Sequence, residues 1–494
     1  MHRKLPIFYS ALLLTGVNLL LRLVSTSFQV HISSQIGPEG VGLLQLVMSV
    51  GGLAMTAGMA GVRTATMYLT AEELGKKRPQ NVSWVLYGCF LYSVLFSGTV
   101  AALLYGFAPQ LAASWIGNPQ TVSSIRLFAF FLPLVCLCGC MTGYFTAANR
   151  IGTLAIVEIF EQLCYMVAAM TALHLWAGND PEKACASVVM GSGISACFTL
   201  LCLSILRLRE HAKKGSQIPV ASRLLRTAIP LALADNLKAG ISTTENLMVP
   251  KRLALYPAED APLAAFGTVC GMVFPVLMFP AAILFALAEL LIPELARCNA
   301  AGSSLRIRYL AKRSLKIALL YGCLCAGIMH LIAKPLCLSL YGSMDAGETL
   351  MLYSLLIPML YCDAIVDAMV KGLGQQTASV RYNIFTSTMD VVFLFLLLPR
   401  YGMNGYFFSF LVTHLINFVL SLRRLLKITN IKITFYIPGF TCAAALAGVF
   451  GASFLQTVPG RIAAFLGLCG SLLVLFGVIS RADILWLRNL LRKK

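Results

Sequence analysis

The chain has 494 residues, of which 58% are hydrophobic and 12% charged, and its mean hydropathy is +0.80. Soluble domains carry roughly 25% charged residues, so this composition excludes a soluble globular protein and describes a chain that crosses a membrane repeatedly. The net charge of +19 would suit a nucleic-acid partner, but its placement along the chain excludes that reading.

Predominantly apolar stretches of about 20 residues, enough to cross a hydrocarbon core of roughly 30 Å, predict fourteen helices in an all-α polytopic fold. They run at about 7–30, 41–69, 83–106, 124–147, 152–177, 184–206, 227–250, 263–293, 312–333, 350–371, 380–398, 403–422, 433–456 and 461–480. The first run is too long for the apolar core of a cleavable signal peptide and is taken as the first span.

In chain order, these spans carry charges that cost about 2.5 to 3.5 kcal/mol each at mid-membrane, so the chain must provide a polar cavity or pathway for them. In the first, Asn18, Arg22, Ser25 and Gln29 recur at i, i+4, i+7 and i+11 and form one polar stripe. In the second, Gln45, Ser49, Gly52 and Thr56 repeat that spacing, and Arg63 lies five whole turns beyond Gln45. Both arginines project from polar faces, where they can hold a substrate or make an interhelical ion pair that only fixes packing. In the fifth span, Glu158, Glu161, Gln162 and Tyr165 form a stripe with two carboxylates one turn apart, suited to a proton or to a neighbouring arginine. The seventh carries Asp235, Lys238, Ser242 and Glu245 on one face, with Asp235 and Lys238 spaced to neutralise each other. The eighth carries Glu289. The tenth pairs Asp367 with Lys371 and leaves Asp363 without an obvious partner, and the eleventh carries Asp390.

Sixteen cysteines lie mostly within spans, which argues against a disulfide framework. Cys136, Cys138 and Cys140 have the look of a metal motif, but helical residues two apart point about 200° away from each other and cannot converge on one ion. The histidines are scattered, so no catalytic group, metal or other cofactor is expected.

Placing both termini on one side puts 29 of the 39 Lys and Arg in segments on that side, 7 on the other and 3 within spans. This excess is a positive-inside signature, and it predicts a cytoplasmic (cell) membrane protein with both termini cytoplasmic.

The chain also repeats itself at an offset of 225: Leu127 to Pro133 matches Leu352 to Pro358, Gly117 matches Gly342, and Gly42 matches Gly267. A unit of six helices predicts two pseudo-symmetric lobes in the same orientation, a plan in which substrate binds between lobes. The expected organisation is an N-lobe at 1–210, a cytoplasmic linker at 211–226, a C-lobe at 227–427, and two additional helices with a basic tail at 428–494. The offset carries Arg63 to position 288, beside Glu289, so these two charges are expected to form or flank a cytoplasmic gate.

Five stretches, Ile36-Gly-Pro-Glu-Gly-Val-Gly-Leu-Leu-Gln45, Gly143-Tyr-Phe145 with Glu161-Gln162, Asn246-Leu-Met-Val-Pro-Lys-Arg-Leu253, Lys371-Gly-Leu-Gly-Gln-Gln376 and Tyr401-Gly-Met-Asn-Gly-Tyr406, give the chain a family likeness. As an ordered set it resembles the multidrug/oligosaccharidyl-lipid/polysaccharide (MOP) exporter superfamily, in its stage V sporulation protein B branch, related to MurJ-type lipid II flippases. The resemblance implies a V-shaped pair of six-helix lobes, an undecaprenyl-linked sugar as substrate, pyrophosphate held by Arg22 and Arg63, and a lipid-tail groove formed by the last two helices. The acids of the seventh, eighth and tenth spans depart from the markedly cationic cavities of MurJ-like proteins.

The expected function is therefore a non-enzymatic flippase moving a lipid-linked oligosaccharide or peptidoglycan precursor by alternating access, for cell-wall, spore-cortex or surface polysaccharide synthesis. Substrate contacts are expected from Arg22, Arg63, Asn18 and Gln45, a gate from Arg63 and Glu289, and coupling to a proton or sodium ion from Glu158, Glu161, Asp363 or Asp390. Its partners would be the glycan lipid, membrane lipids and other envelope-synthesis proteins. The alternatives are a cation-coupled multidrug exporter, a membrane glycan polymerase or ligase, for which the outer loops are short, and a non-transporting scaffold.

Overall fold

A computed structural model describes residues 7–148, 150–177, 180–209, 220–431 and 436–478. Most of the expected linker, the basic tail and the side chain of Asn18 lie outside the described residues. Those described form sixteen α-helices and no strand: α1 Ile7–Met59, α2 Val62–Gly75, α3 Val82–Gln110, α4 Val122–Ala147, α5 Ile151–Ala172, α6 Pro181–Leu208, α7 Val220–Leu253, α8 Pro262–Gly267, α9 Phe274–Met278, α10 Ala281–Ala300, α11 Ser304–Tyr341, α12 Met344–Ser354, α13 Ile357–Gly372, α14 Gln376–Thr429, α15 Tyr436–Ser453 and α16 Val458–Leu475. They fall into two compact units, Met1–Gly271 with Val391–Gly405, and Met272–Asp390 with Tyr406–Lys494.

In the first unit α1 breaks at Gly37, whose φ of 71° only glycine adopts freely, and Pro38 follows without an amide hydrogen to continue the ladder. Small residues then let the helices close on one another, as expected where dispersion rather than water exclusion holds a bundle together. A Cβ on Gly191 would lie 2.8 Å from Ala169, drawing α6 onto α5. The repeat-related glycines Gly42 and Gly267 touch: a Cβ on Gly267 would fall on the Pro38 carbonyl and lie 2.6 Å from Gly42 N.

In the second unit α11 packs against α12, α13, α15 and α16. Phe465 of α16 is fully buried, and a Cβ on Gly448 of α15 would lie 3.0 Å from its ring. Within α14 the Ser409 hydroxyl donates to Asp390 at 2.5 Å. Nineteen residues of straight helix would separate them by about 28 Å, so the element doubles back at Gly402 (φ 57°) and is two antiparallel helices. Gly117 and Gly342, the other repeat-related glycines, both close helices in the left-handed conformation, each in its own unit.

By length and apolarity, nine helical stretches among the described residues can cross a membrane, or up to eleven when the bent pairs Pro262–Met278 with Ala281–Asn299 (65°) and Met344–Ser354 with Ile357–Gly372 (56°) are each taken as one span. This is fewer than the fourteen expected. Two of the stretches, of 57 and 54 residues, are far longer than one crossing needs, and α7 is long enough but carries Asp235, Lys238 and Glu245. Large apolar side chains such as Phe130 and Leu446 point outward, as they do when the solvent is lipid. The chain is a multi-pass helical membrane protein.

Gly267→Val places branched carbons on a carbonyl and on the Gly42 backbone. It is expected to cost about 1–3 kcal/mol or more through overpacking, seen as a lower thermal unfolding midpoint in detergent, while Gly16→Val, where a Cβ meets nothing within 4 Å, leaves it unchanged.

Candidate functional site

The polar stripe of α1 opens onto a cavity in the first unit. Its volume is about 450 Å³, within the range of small-molecule sites, and Leu21, Arg22, Ser25, Thr26 and Gln162 line it. The α1 side supplies a guanidinium and two hydroxyls. From α5 comes Gln162, whose Nε2 is buried with no hydrogen-bond partner among the described residues, a donor held where an acceptor would satisfy it. Below it the Tyr165 ring stands edge-on to Phe28 of α1, centroids 5.3 Å apart, which fixes the spacing of the two helices.

Arg63 sits two residues past the Ala60–Gly61 turn that separates α1 from α2. Its side chain is exposed, while beneath its backbone a Cβ on Gly143 of α4 would lie 2.5 Å from its carbonyl oxygen. The Glu158 carboxylate lies within electrostatic reach of the Arg63 guanidinium. Glu158 and Gln162 are one turn, about 6 Å, apart on α5, the first within electrostatic reach of Arg63 and the second lining the cavity with Arg22. Glu161 is half-buried on the neighbouring face.

The second stripe, from Gln45 to Thr56, has a different use at its centre. Asn246 Nδ2 donates to Ser49 Oγ at 3.0 Å, and Thr243 Oγ1 donates to the Ser49 carbonyl at 3.1 Å, so this face meets α7. Gln45 is half-buried one turn before it, its carbonyl accepting from Ser49 Oγ at 2.7 Å.

In the second unit the two acids nominated for ion coupling share one face of the second arm of α14. Asp390 Oδ1 accepts from Ser409 Oγ and, at 3.3 Å, from Thr413 Oγ1; Asp363 Oδ2 accepts from Asn417 Nδ2 at 3.0 Å. Thr413 and Asn417 are one turn apart. Asp363 Oδ1 and Asn417 Oδ1 are buried with no hydrogen-bond partner among the described residues.

The Asp367–Lys371 pair forms, at 2.5 Å. No ion pair joins Asp235 to Lys238 among the described residues; both side chains are exposed, and nothing buried forces them together. Glu289 is exposed on α10 of the second unit, whereas Arg63 belongs to the first. Cys138 and Cys140 donate to the carbonyls of Ala196 and Cys89 on adjacent helices.

Sequence reasoning missed Thr26 as a lining group, although it adjoins the Asn18–Gln29 stripe, and gave Gln162 no separate role. It also missed Arg223, which meets Glu72 and Glu73 across 150 residues that no local pattern connects.

These features define a polytopic helical membrane protein of transporter fold, with a polar cavity in one unit and a buried acid seam in the other. The model of the polysaccharide biosynthesis protein family matches residues 8–235. Stage V sporulation protein B of Bacillus subtilis (strain 168) is 23% identical over 500 residues, covering 96% of either chain. Among solved structures, lipid II flippase MurJ in an inward closed conformation superposes with a TM-score of 0.69, at 13% identity, over 96% of this chain and all of that one. An inward-facing multidrug resistance MATE family transporter of the MOP superfamily gives 0.67, at 12% identity, over 85% of this chain and all of that one. The likeness to stage V sporulation protein B thus holds in sequence, and the likeness to MurJ and to MATE transporters holds in fold.

Asp390→Ala removes the acceptor of two buried hydroxyls and is expected to cost about 1–3 kcal/mol of stability, read as a lower unfolding midpoint; Asp390→Asn, which keeps an oxygen in place, costs less.

Proposed function

We propose that this protein is a flippase that moves a polyprenyl-linked oligosaccharide or peptidoglycan precursor across the cytoplasmic membrane by alternating access. The observation that carries the reading is the Arg22 cavity: a guanidinium, two hydroxyls and an unsatisfied amide donor converge inside an apolar chain whose relatives, over nearly its whole length, are a sporulation protein and a lipid II flippase.

Every group known to line that cavity except Leu21 can donate a hydrogen bond. Carrying a diphosphate and sugar hydroxyls through hydrocarbon unaided would leave each polar group unsatisfied at a cost of several kcal/mol. Guanidinium forks bind phosphate oxygens bidentately, and a side cavity lets the prenyl chain remain in lipid. In this reading Arg22 and Arg63 hold the diphosphate from one face of α5, Gln162 and Ser25 reach the adjoining sugar, and Asp363 and Asp390 are where a proton or sodium ion would couple. Both termini face the cytoplasm, and the product feeds cell-wall, spore-cortex or surface polysaccharide synthesis with other envelope proteins.

The multidrug exporter is the second reading, favoured by the acid seam of the second unit and by the MATE likeness. It accounts for less of the chain, 85% against 96%.

Native mass spectrometry of the purified protein separates the two. A prenyl diphosphate glycan is expected on the wild type and absent from Arg22→Ala; an amphipathic cation in its place would support the exporter. In reconstituted vesicles Arg22→Ala is expected to slow flipping about tenfold or more, equivalent to at least 1.4 kcal/mol, and Arg22→Lys less, since a lysine keeps the charge and loses the fork.

A further inference from the structure

The start of α7 is tied to the end of α2 by an ion cluster that the transport reading leaves unused. Arg223 divides its fork between two carboxylates, Nη2 lying 2.7 Å from Glu72 Oε2 and Nη1 2.9 Å from Glu73 Oε1. Each carboxylate gives its other oxygen to a group on its own side of the contact: Glu72 Oε1 to Lys76 Nζ at 2.5 Å, and Glu73 Oε2 to Asn81 Nδ2 at 3.1 Å. Around the ions Val220, Leu224 and Ala228 of α7 pack on Val62 and Leu69 of α2 and on Val85 of α3. The backbones come close at Gly61 and Gly88, where a Cβ would lie 2.6 Å from Ala228 O and 2.9 Å from a Val220 methyl.

This partition of oxygens distinguishes the cluster from a permanent staple. Breaking a buried pair is costly when it leaves one charge bare. Here Glu73, whose side chain is only 3% exposed, keeps Asn81 if Arg223 leaves, and Glu72 keeps Lys76. The Arg223 side chain is 30% exposed and can be rehydrated. When the arginine leaves, Glu72 keeps its ion pair with Lys76 and Glu73 keeps the Asn81 amide and the field of Lys76, so the cost of opening is confined to one Glu73 oxygen that loses its donor. Val62 and Leu69 of α2 are buried in this contact, so moving α7 off α2 exposes them to solvent.

We propose that Arg223, with Glu72 and Glu73, is a releasable latch holding the start of α7 on α2, and that its opening admits solvent to the α2 face that α7 covers, at Val62 and Leu69. The latch rests on the transporter reading for its purpose but not for its test. The reporter is Leu69→Cys, a buried position on the α2 face that α7 covers, labelled in the full-length protein in vesicles by a membrane-impermeant maleimide. The reagent is added on the side of the Lys76–Arg78 loop, and the wild-type chain serves as the control for native thiols.

Arg223→Gln is expected to raise the labelling rate about threefold or more, and Glu72→Gln with Glu73→Gln, on the opposite side of the contact, to do the same. Bridging Glu72→Cys to Arg223→Cys with a short bis-methanethiosulfonate is expected to slow labelling about tenfold, with full recovery on reduction. Labelling indifferent to both release and bridging would overturn the latch, as would a bridged protein that flips lipid as fast as the reduced one. Should the bridged pair not fold, the release variants alone decide it through the rate. No glycan lipid enters the labelling assay, so a protein that carries no such lipid defeats the flippase proposal and leaves this result standing.

Discussion

A polar or charged group inside hydrocarbon has to be given a partner, because no water is there to supply one. That constraint decides where nearly every polar side chain of this chain goes. Hydroxyls such as Thr56 and Thr66 turn back onto the carbonyl one turn earlier. Ser49 is met by two side chains of α7, and Asp390 by two hydroxyls from the returning arm of α14. Several buried side-chain polar atoms still have no hydrogen-bond partner among the described residues, and of these Gln162 Nε2 alone belongs to a residue that lines the Arg22 cavity.

The helix that organises the first unit chemically is α5. It bears no cation on its polar face, yet Glu158 and Gln162 on it answer to Arg63 and to the Arg22 cavity in turn. In the second unit two acids, Asp363 of α13 and Asp390 of α14, are held by Asn417 and Thr413, one turn apart on the returning arm of α14.

Much of this was legible in the sequence. The i, i+4, i+7 stripe of the first span led directly to Arg22 and Ser25, because helical periodicity is a local property that neighbouring residues fully express. The offset of 225 held for Gly117 and Gly342, whose shared role at helix ends needs only local backbone geometry. What the sequence hid was of two kinds. Bends at 65° and 56°, and the reversal at Gly402, cut or fused apolar runs that composition alone treats as uniform. Partnerships across long separations, Arg223 with Glu73 or Asn246 with Ser49, involve residues whose local patterns carry no trace of one another.

The contact between Gly42 and Gly267 has a consequence for how such a chain can change over generations. The two positions are equivalents at the offset of 225, and neither has room for a side chain: a Cβ on Gly267 would meet the Pro38 carbonyl and the Gly42 backbone, and one on Gly42 the Leu263 carbonyl. A lineage can enlarge neither, so two copies that are otherwise free to diverge remain bound at this one point. The repeat is kept there as a shared steric limit, and both positions would be expected to stay glycine where most of the repeat has drifted apart.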